Sequence, residues 1–270
     1  MPDRAAPAPE SLAAVTGLAL GFGDRRIVEG LEFEVARGEI FAIMGASGVG
    51  KSTLLRTLIG LAPPATGAVA LFGQDPYALP AAALYALRRR IGVAFQGGAL
   101  LNALTVLENV ELPLKLNTRL DRATIRIMAH LKLELLNLRE IDHLYPSQLS
   151  GGMAKRVSLA RAVVMDPELV FFDEPAGGLD ARNAAELDEL ILKLRAAMNC
   201  SFVVVTHALD SAFTIADRVL VLAEGRALAL GTPQEVRALG DERMAALFGQ
   251  TGAGQRAPRA AYLDRLTAGL

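Results

Sequence analysis

Residues Gly45-Ala46-Ser47-Gly48-Val49-Gly50-Lys51-Ser52-Thr53 fit the spacing Gly-x-x-x-x-Gly-Lys-Ser/Thr. The spacing has a mechanical meaning. Glycines let the chain turn tightly, so that successive backbone N–H groups point inward at an anion. A helix beginning near Lys51 then aims its positive end at the same charge. In such a cradle Lys51 reaches the outer phosphates of a nucleotide, and the Ser52 hydroxyl ligates Mg2+. The flanks agree: residues 39–44 read as a buried strand and residues 52–59 as a helix with an apolar stripe. A glycine-rich turn with an incidental lysine is the bland alternative, and these flanks weigh against it.

Two further segments add chemistry. The apolar run Leu169-Val170-Phe171-Phe172 ends in Asp173-Glu174. A strand ending in a carboxylate puts Asp173 at the sheet edge beside the phosphate loop, where it holds Mg2+ directly or through water. Glu174, one residue on, is placed to orient or deprotonate an attacking water. The competing reading is that both acids cap the turn at Pro175. Leu149-Ser150-Gly151-Gly152-Met153 opens another helix. There the Ser150 hydroxyl and the N–H groups of Gly151 and Gly152 offer a second anion site, not necessarily for a nucleotide in the same subunit. An ordinary capped helix explains that segment equally well when it is taken alone.

The elements that must position these residues alternate between buried strand and helix. Strands are expected at residues 15–20, 31–35, 68–72, 91–95, 169–172, 202–205, 219–223 and 227–230. Residues 21–24 and 224–226 read as turns, the latter inside a hairpin. Helices are expected at 81–89, 150–165, 181–197 and 209–215, with Thr232-Pro233 capping one more. Between residues 106 and 149 strand-like runs vanish, and Ile125, Met128, Leu131 and Leu135 recur at helical spacing. The pattern is α/β: a mainly parallel sheet with helices on its faces and a helical subdomain inserted.

Bulk properties narrow the function classes. A formal net charge of −1 gives no basic footprint for nucleic acid. Cys200, the one cysteine, excludes an intrachain disulfide and reads as a small residue at a strand entrance. No apolar run approaches the ~20 residues that cross a bilayer, and residues 1–10 lack the apolar core of a secretory signal. A cytoplasmic protein is the expectation. His130 and His143 lie in the helical stretch without ligand-like spacing.

In order and spacing, these motifs resemble the nucleotide-binding subunit of ATP-binding cassette transporters. Gln96 after Phe95, Gly178-Leu179-Asp180 and Val205-Thr206-His207 complete the set. The resemblance covers residues 12–247 as one cassette: a P-loop NTPase core, an N-terminal antiparallel β region and a helical subdomain at about residues 100–165. It implies an ATPase using ATP and Mg2+, with Phe22 stacking on adenine. Gln96 would sense Mg2+ and the attacking water, and His207 would contact the γ-phosphate. Asp180 would organise the contact between two copies, each closing Ser150, Gly151 and Gly152 over the other's ATP. Met153 departs from the family, where glutamine is usual.

A narrower resemblance rests on Phe95-Gln96-Gly97-Gly98-Ala99-Leu100-Leu101, on residues 104–114 and on residues 145–156. They are similar to Mla-type ATPases of MCE-domain transport systems, which move phospholipids between the inner and outer bacterial membranes. That implies a homodimer on the cytoplasmic face of the inner membrane, a multi-span permease, a periplasmic MCE-domain protein and a small STAS-domain partner. Another transporter class (a solute importer or a lipoprotein exporter) and a non-transport ATP switch share the same catalytic motifs. Ala99-Leu100-Leu101 and Leu104 either face a membrane subunit or fold back into the helical subdomain. Residues 248–270 read as a glycine linker followed by a tail whose Tyr262, Leu263 and Leu266 dock on a partner or belong to a frayed end.

Overall fold

The computed structural model describes residues 10–23 and 25–239, with backbone only at Phe22 and Arg25. Two strands open the chain, β1 (Ser11–Phe22) and β2 (Arg25–Ala36), followed by β3 (Ile40–Gly45) and α1 (Lys51–Leu58). Next come β4 (Thr66–Leu71), α2 (Ala81–Arg88) and β5 (Ile91–Ala94). The helical subdomain contains α3 (Val106–Asn117), α4 (Arg122–Leu135) and α5 (Gly151–Val163). The chain then returns through β6 (Leu169–Asp173), α6 (Ala181–Met198), β7 (Ser201–Thr206) and α7 (Leu209–Ile215). It continues as β8 (Arg218–Ala223), β9 (Arg226–Gly231) and α8 (Pro233–Ala238).

Two sheets result. One is antiparallel, in the order β2-β1-β4; the other runs β5-β6-β7-β3-β8-β9 and is parallel apart from β9. Strand period divides the core into layers, because successive side chains of a strand point to opposite faces. Ile40, Ala42 and Met44 of β3 join Val170, Phe172, Phe202 and Val204 on the face covered by the helical subdomain. Phe41 and Ile43 join Phe171, Val203 and Val205 on the opposite face, against β1, β2 and α1. There Phe41 stacks on Phe33 with ring centroids 5.1 Å apart. The antiparallel region therefore shares a core with the main sheet.

Parallel register also sets the functional edge. Met44 of β3 is paired with Thr206 of β7, and Asp173 of β6 with Val205. The carboxyl ends of β3, β6 and β7 thus emerge side by side, where ligands of open α/β sheets bind. Helix α5 is drawn onto the sheet at Gly92 of β5, where any Cβ would lie 2.2 Å from the Ala162 carbonyl oxygen.

Element boundaries depart from the sequence pattern where the period breaks. β1 and β2 extend well beyond residues 15–20 and 31–35, because register shifts between Ser11 and Gly21 interrupt the alternation. β4 begins at Thr66, paired with Ala19, two residues before the expected strand at 68–72. Helix α4 turns a different face inward: Ile125, Ala129 and Leu133 are buried, whereas Leu131 and Leu135 are exposed. Its apolar residues surround the helix, so packing against α3 and α5 selects the face. The tail, residues 248–270, lies outside the described residues.

An ion-pair cluster fastens the far end of the sheet. Arg37, after β2, bonds Glu10 at 2.8 Å and Glu168 at 2.6 Å, and Arg90 donates to the other Glu168 oxygen. Hydrogen bonds from Arg90 and then Arg37 pull the Glu168 carboxyl down from 4.5 to about 2. A carboxyl depressed by folding stabilises above its unfolded pKa and ceases to do so as pH falls through the folded one. The stability gap between wild type and Glu168→Gln should therefore be full at neutral pH, shrink below pH 4.5 and vanish near pH 2. Denaturant midpoints measured across that range check it. Gly92→Ala should lower stability by about 1–3 kcal/mol through overpacking, read from the same melts.

Candidate functional site

The phosphate loop leaves β3 at Gly45 and enters α1 at Lys51. Gly50 has φ +109° and sits so close to Ile27 and Val28 that a Cβ would approach their methyl groups to 2.9 and 2.8 Å. Only glycine meets both demands. Lys51 is 7% exposed, and its Nζ donates to the carbonyls of Gly45 (2.8 Å) and Ala46 (3.2 Å). It also lies 3.8 Å from Glu174 Oε1. Burial lowers the Lys51 pKa, while the Glu174 and Asp173 charges pull it back up. Ser47, Gly48 and Ser52 are exposed around this ammonium, with Val49 and Thr53 half-buried.

Asp173 ends β6 in a buried position, and its Oδ1 has no hydrogen-bond partner. Burial, then the neighbouring Glu174 charge, raises its pKa above the ordinary 3.8. An orphaned buried carboxylate oxygen is costly, and a divalent cation is the partner whose chemistry fits an oxygen donor there. Turn capping does not occupy either acid. Glu174 Oε2 accepts from Thr206 Oγ1 (3.2 Å) and the His207 backbone N–H (3.3 Å), and lies 2.8 Å from His207 Nδ1. The Glu174 backbone is left-handed, with φ +49°, and its N–H donates to the Val205 carbonyl at 2.7 Å.

Sequence-expected residues fall into two clusters. Lys51, Asp173, Glu174 and His207 meet at the strand ends. Ser150, Gly151, Gly152 and Asp180 gather instead at the starts of α5 and α6. Ser150 caps α5 by accepting from the Met153 N–H at 3.3 Å, and Asp180 caps α6 by accepting from the Asn183 N–H at 2.9 Å. Leu179 and Asn183 line the approaches to Gly151 and Gly152. Ser150, Gly151 and Asp180 are exposed. Gln96 presents an exposed side chain on the loop after β5. The Phe22 side chain lies outside the described residues.

Some functional neighbours escaped the sequence reading. Lys155, buried on α5, donates to the carbonyls of Gln96 and Glu174, both at 2.6 Å. Ser158 and Arg161 of the same helix reach the Gly98 carbonyl at 2.9 and 2.8 Å, and Arg161 also reaches that of Ala99 at 2.8 Å. Asn109 of α3 holds the carbonyls of Leu101 and Leu104, both at 3.1 Å. The available signal was polar residues at three-residue spacing along α5, Lys155, Ser158 and Arg161. Of the apolar residues beside Gln96, Leu100 packs on the core whereas Leu101 is 47% exposed. Cys200 is buried, with its thiol pushed up to about 11 by burial. His130 pairs with Asp142 at 3.3 Å, and His143 is exposed.

Comparison with known proteins places this geometry. A family model described as ABC transporter matches residues 28–177. A protein of Haemophilus influenzae named intermembrane phospholipid transport system ATP-binding protein MlaF is 39% identical over 227 residues, covering 84% of this chain and 86% of its own. Mycobacterium leprae has a relative named probable ribonucleotide transport ATP-binding protein mkl, 36% identical over 234 residues, or 87% of this chain and 67% of that one. Among solved structures, the dimeric post-hydrolysis state of the ATP-binding cassette MJ0796 bound to ADP and Pi superposes with a TM-score of 0.75 at 30% identity. It covers 82% of this chain and 98% of its own. With its phosphate loop, strand-end acids and the capped start of α5 arranged on this fold, the chain belongs to the ABC transporter family, as an ATP-hydrolysing subunit.

Proposed function

We propose that this ATPase powers a membrane transporter that moves phospholipid between the inner and outer bacterial membranes. The observation that carries the proposal is 39% identity, across more than four-fifths of both chains, to a protein named for intermembrane phospholipid transport. The mycobacterial likeness at 36% favours a second reading, transport of a different cargo by the same engine. The cassette spans residues 12–247, with the helical subdomain at about 100–165. It sits on the cytoplasmic face of the inner membrane; among the described residues no helix is long and apolar enough to cross a membrane. Exposed Leu101, beside Gln96, suits contact with a multi-span permease. An MCE-domain protein on the periplasmic side and a small STAS-domain protein complete the assembly.

Roles follow from placement. Lys51 and the N–H groups of residues 45–53 bind the phosphates of ATP. Ser52, Gln96 and Asp173 would hold Mg2+, and the partnerless Asp173 Oδ1 supports that assignment. The bound ion would neutralise charge on the transferring phosphoryl group. Thr206 and His207 engage Glu174 Oε2, and Oε1, 3.8 Å from the Lys51 ammonium, is the oxygen that takes a proton from the attacking water. His207 also answers to the γ-phosphate, and Phe22 stacks on adenine. Ser150, Gly151 and Gly152 act on ATP held by a second copy, and Asp180 organises the contact between the copies; the exposure of Ser150, Gly151 and Asp180, apart from Lys51 and Glu174, supports this. Closure of two copies around ATP and their reopening after hydrolysis is the two-state element that moves the permease.

Four outcomes test these roles. Lys51→Ala should lower ATP affinity and hydrolysis together, measured by nucleotide titration and phosphate release. Glu174→Gln should still bind ATP, lose about 10²-fold or more in turnover, and accumulate as a dimer in light scattering. The assembled complex reconstituted between vesicles should move fluorescent phospholipid only with ATP. Normal lipid movement by a Glu174→Gln complex would overturn the transport role. In mixed dimers, Ser150→Arg in one copy should impair ATP turnover at the other copy's phosphate loop.

A further inference from the structure

We infer that Lys155 is a positioning residue for hydrolysis, fixing Glu174 and the Gln96 loop relative to each other through their backbone carbonyls. The inference rests on the reading of Glu174 as the base. One ammonium bridges two loops: Nζ donates to the Gln96 carbonyl and to the Glu174 carbonyl, each at 2.6 Å. Those loops follow β5 and β6, neighbouring parallel strands that pair Ala94 with Phe172. Nothing in the sheet itself sets their spacing beyond the last ladder bond. Lys155 does, from the second turn of α5.

The need for such a clamp lies in the Glu174 backbone. A non-glycine residue in the left-handed region persists only where its surroundings over-determine it. Here the N–H is held by Val205 and the carbonyl by Lys155, so the peptide groups on both sides of the Cα are fixed. The carboxylate then has few ways to swing. A lysine serving only to cover apolar surface would run its stem along the core and leave its head in water. The Lys155 head is buried instead, and burial lowers its pKa while the Glu174 and Asp173 charges oppose that shift. Ser158 and Arg161 continue the same grip along residues 98–99. Because Ser150 caps the same helix, Lys155 lies within two turns of that N-terminal end.

Steady-state ATPase kinetics, ATP titration and thermal melts of the full chain test the role. Lys155→Met keeps the stem and removes the donors. It should lower kcat by about tenfold to a hundredfold, the scale of a misplacement near 1 Å, with KM and ATP affinity within about threefold of wild type. Lys155→Arg, which restores charge and donors, should recover most of the lost kcat. Added to Glu174→Gln, Lys155→Met should cost little further turnover, since both act through one group. If Lys155→Met does not fold, Lys155→Leu, which also lacks donors, is read the same way. Wild-type kcat in the Met or Leu variant, or a parallel collapse of kcat, affinity and melting temperature that Arg does not relieve, overturns the inference. Glu174→Gln separates the two layers. Should it hydrolyse ATP normally, the base assignment falls and Lys155 loses its role with it. Should it be inactive while Lys155→Met turns over normally, the positioning role alone falls.

Discussion

Four charged side chains are crowded under the surface at the ends of three strands, and their mutual dependence organises everything around them. Lys51, Lys155, Asp173 and Glu174 are each only 6–7% exposed. A charge taken out of water is tolerated only with partners, and losing one partner leaves the others stranded. The lysines meet this by each donating to two backbone carbonyls and by facing the two acids; burial drives their pKa values down and the acids draw them up. Thr206 and His207 complete the shell of Glu174. Asp173 keeps one oxygen without a partner, the position where a cation has most to offer. Parallel pairing of β6, β7 and β3 is what makes such crowding possible, because it delivers three chain ends to one edge in register.

Most of that edge was legible in the sequence, for a physical reason. A buried strand, a glycine turn and a helix start are local events with local signals, so Gly45 to Thr53 and Phe172-Asp173-Glu174 could be placed without knowledge of the fold. The segment at Ser150 also reads as an ordinary cap, and Ser150 does cap α5. What stayed hidden depends on tertiary contact. Lys155, Ser158 and Arg161 show their meaning only once the loop after β5 is laid across α5. Helix α4 carries apolar residues around its circumference, so its spacing could not choose between Leu131 and Leu133. The long β1–β2 ribbon is broken by register shifts, and a two-residue period cannot be followed through them.

The layered core explains why the antiparallel region behaves as part of the enzyme. Phe33 of β2 stacks on Phe41 of β3, and Val28 and Ile27 set the space around Gly50. The tip of the β8–β9 hairpin is tied to the same region, where the Glu29 N–H donates to the Gly225 carbonyl at 2.7 Å. A change in this ribbon therefore reaches the phosphate loop through direct packing.

The grip on the loop after Gln96 is made almost wholly on main-chain oxygens. Lys155, Ser158, Arg161 and Asn109 bond the carbonyls of Gln96, Gly98, Ala99, Leu101 and Leu104. Every amino acid supplies a carbonyl, so these bonds hold the loop whatever side chains its exposed positions carry. Exposed positions such as Leu101 are thereby released from any duty to the scaffold. Their identities can be exchanged to suit a different neighbour while the same framework holds the loop in place, a division of labour that lets one engine be refitted to new machinery.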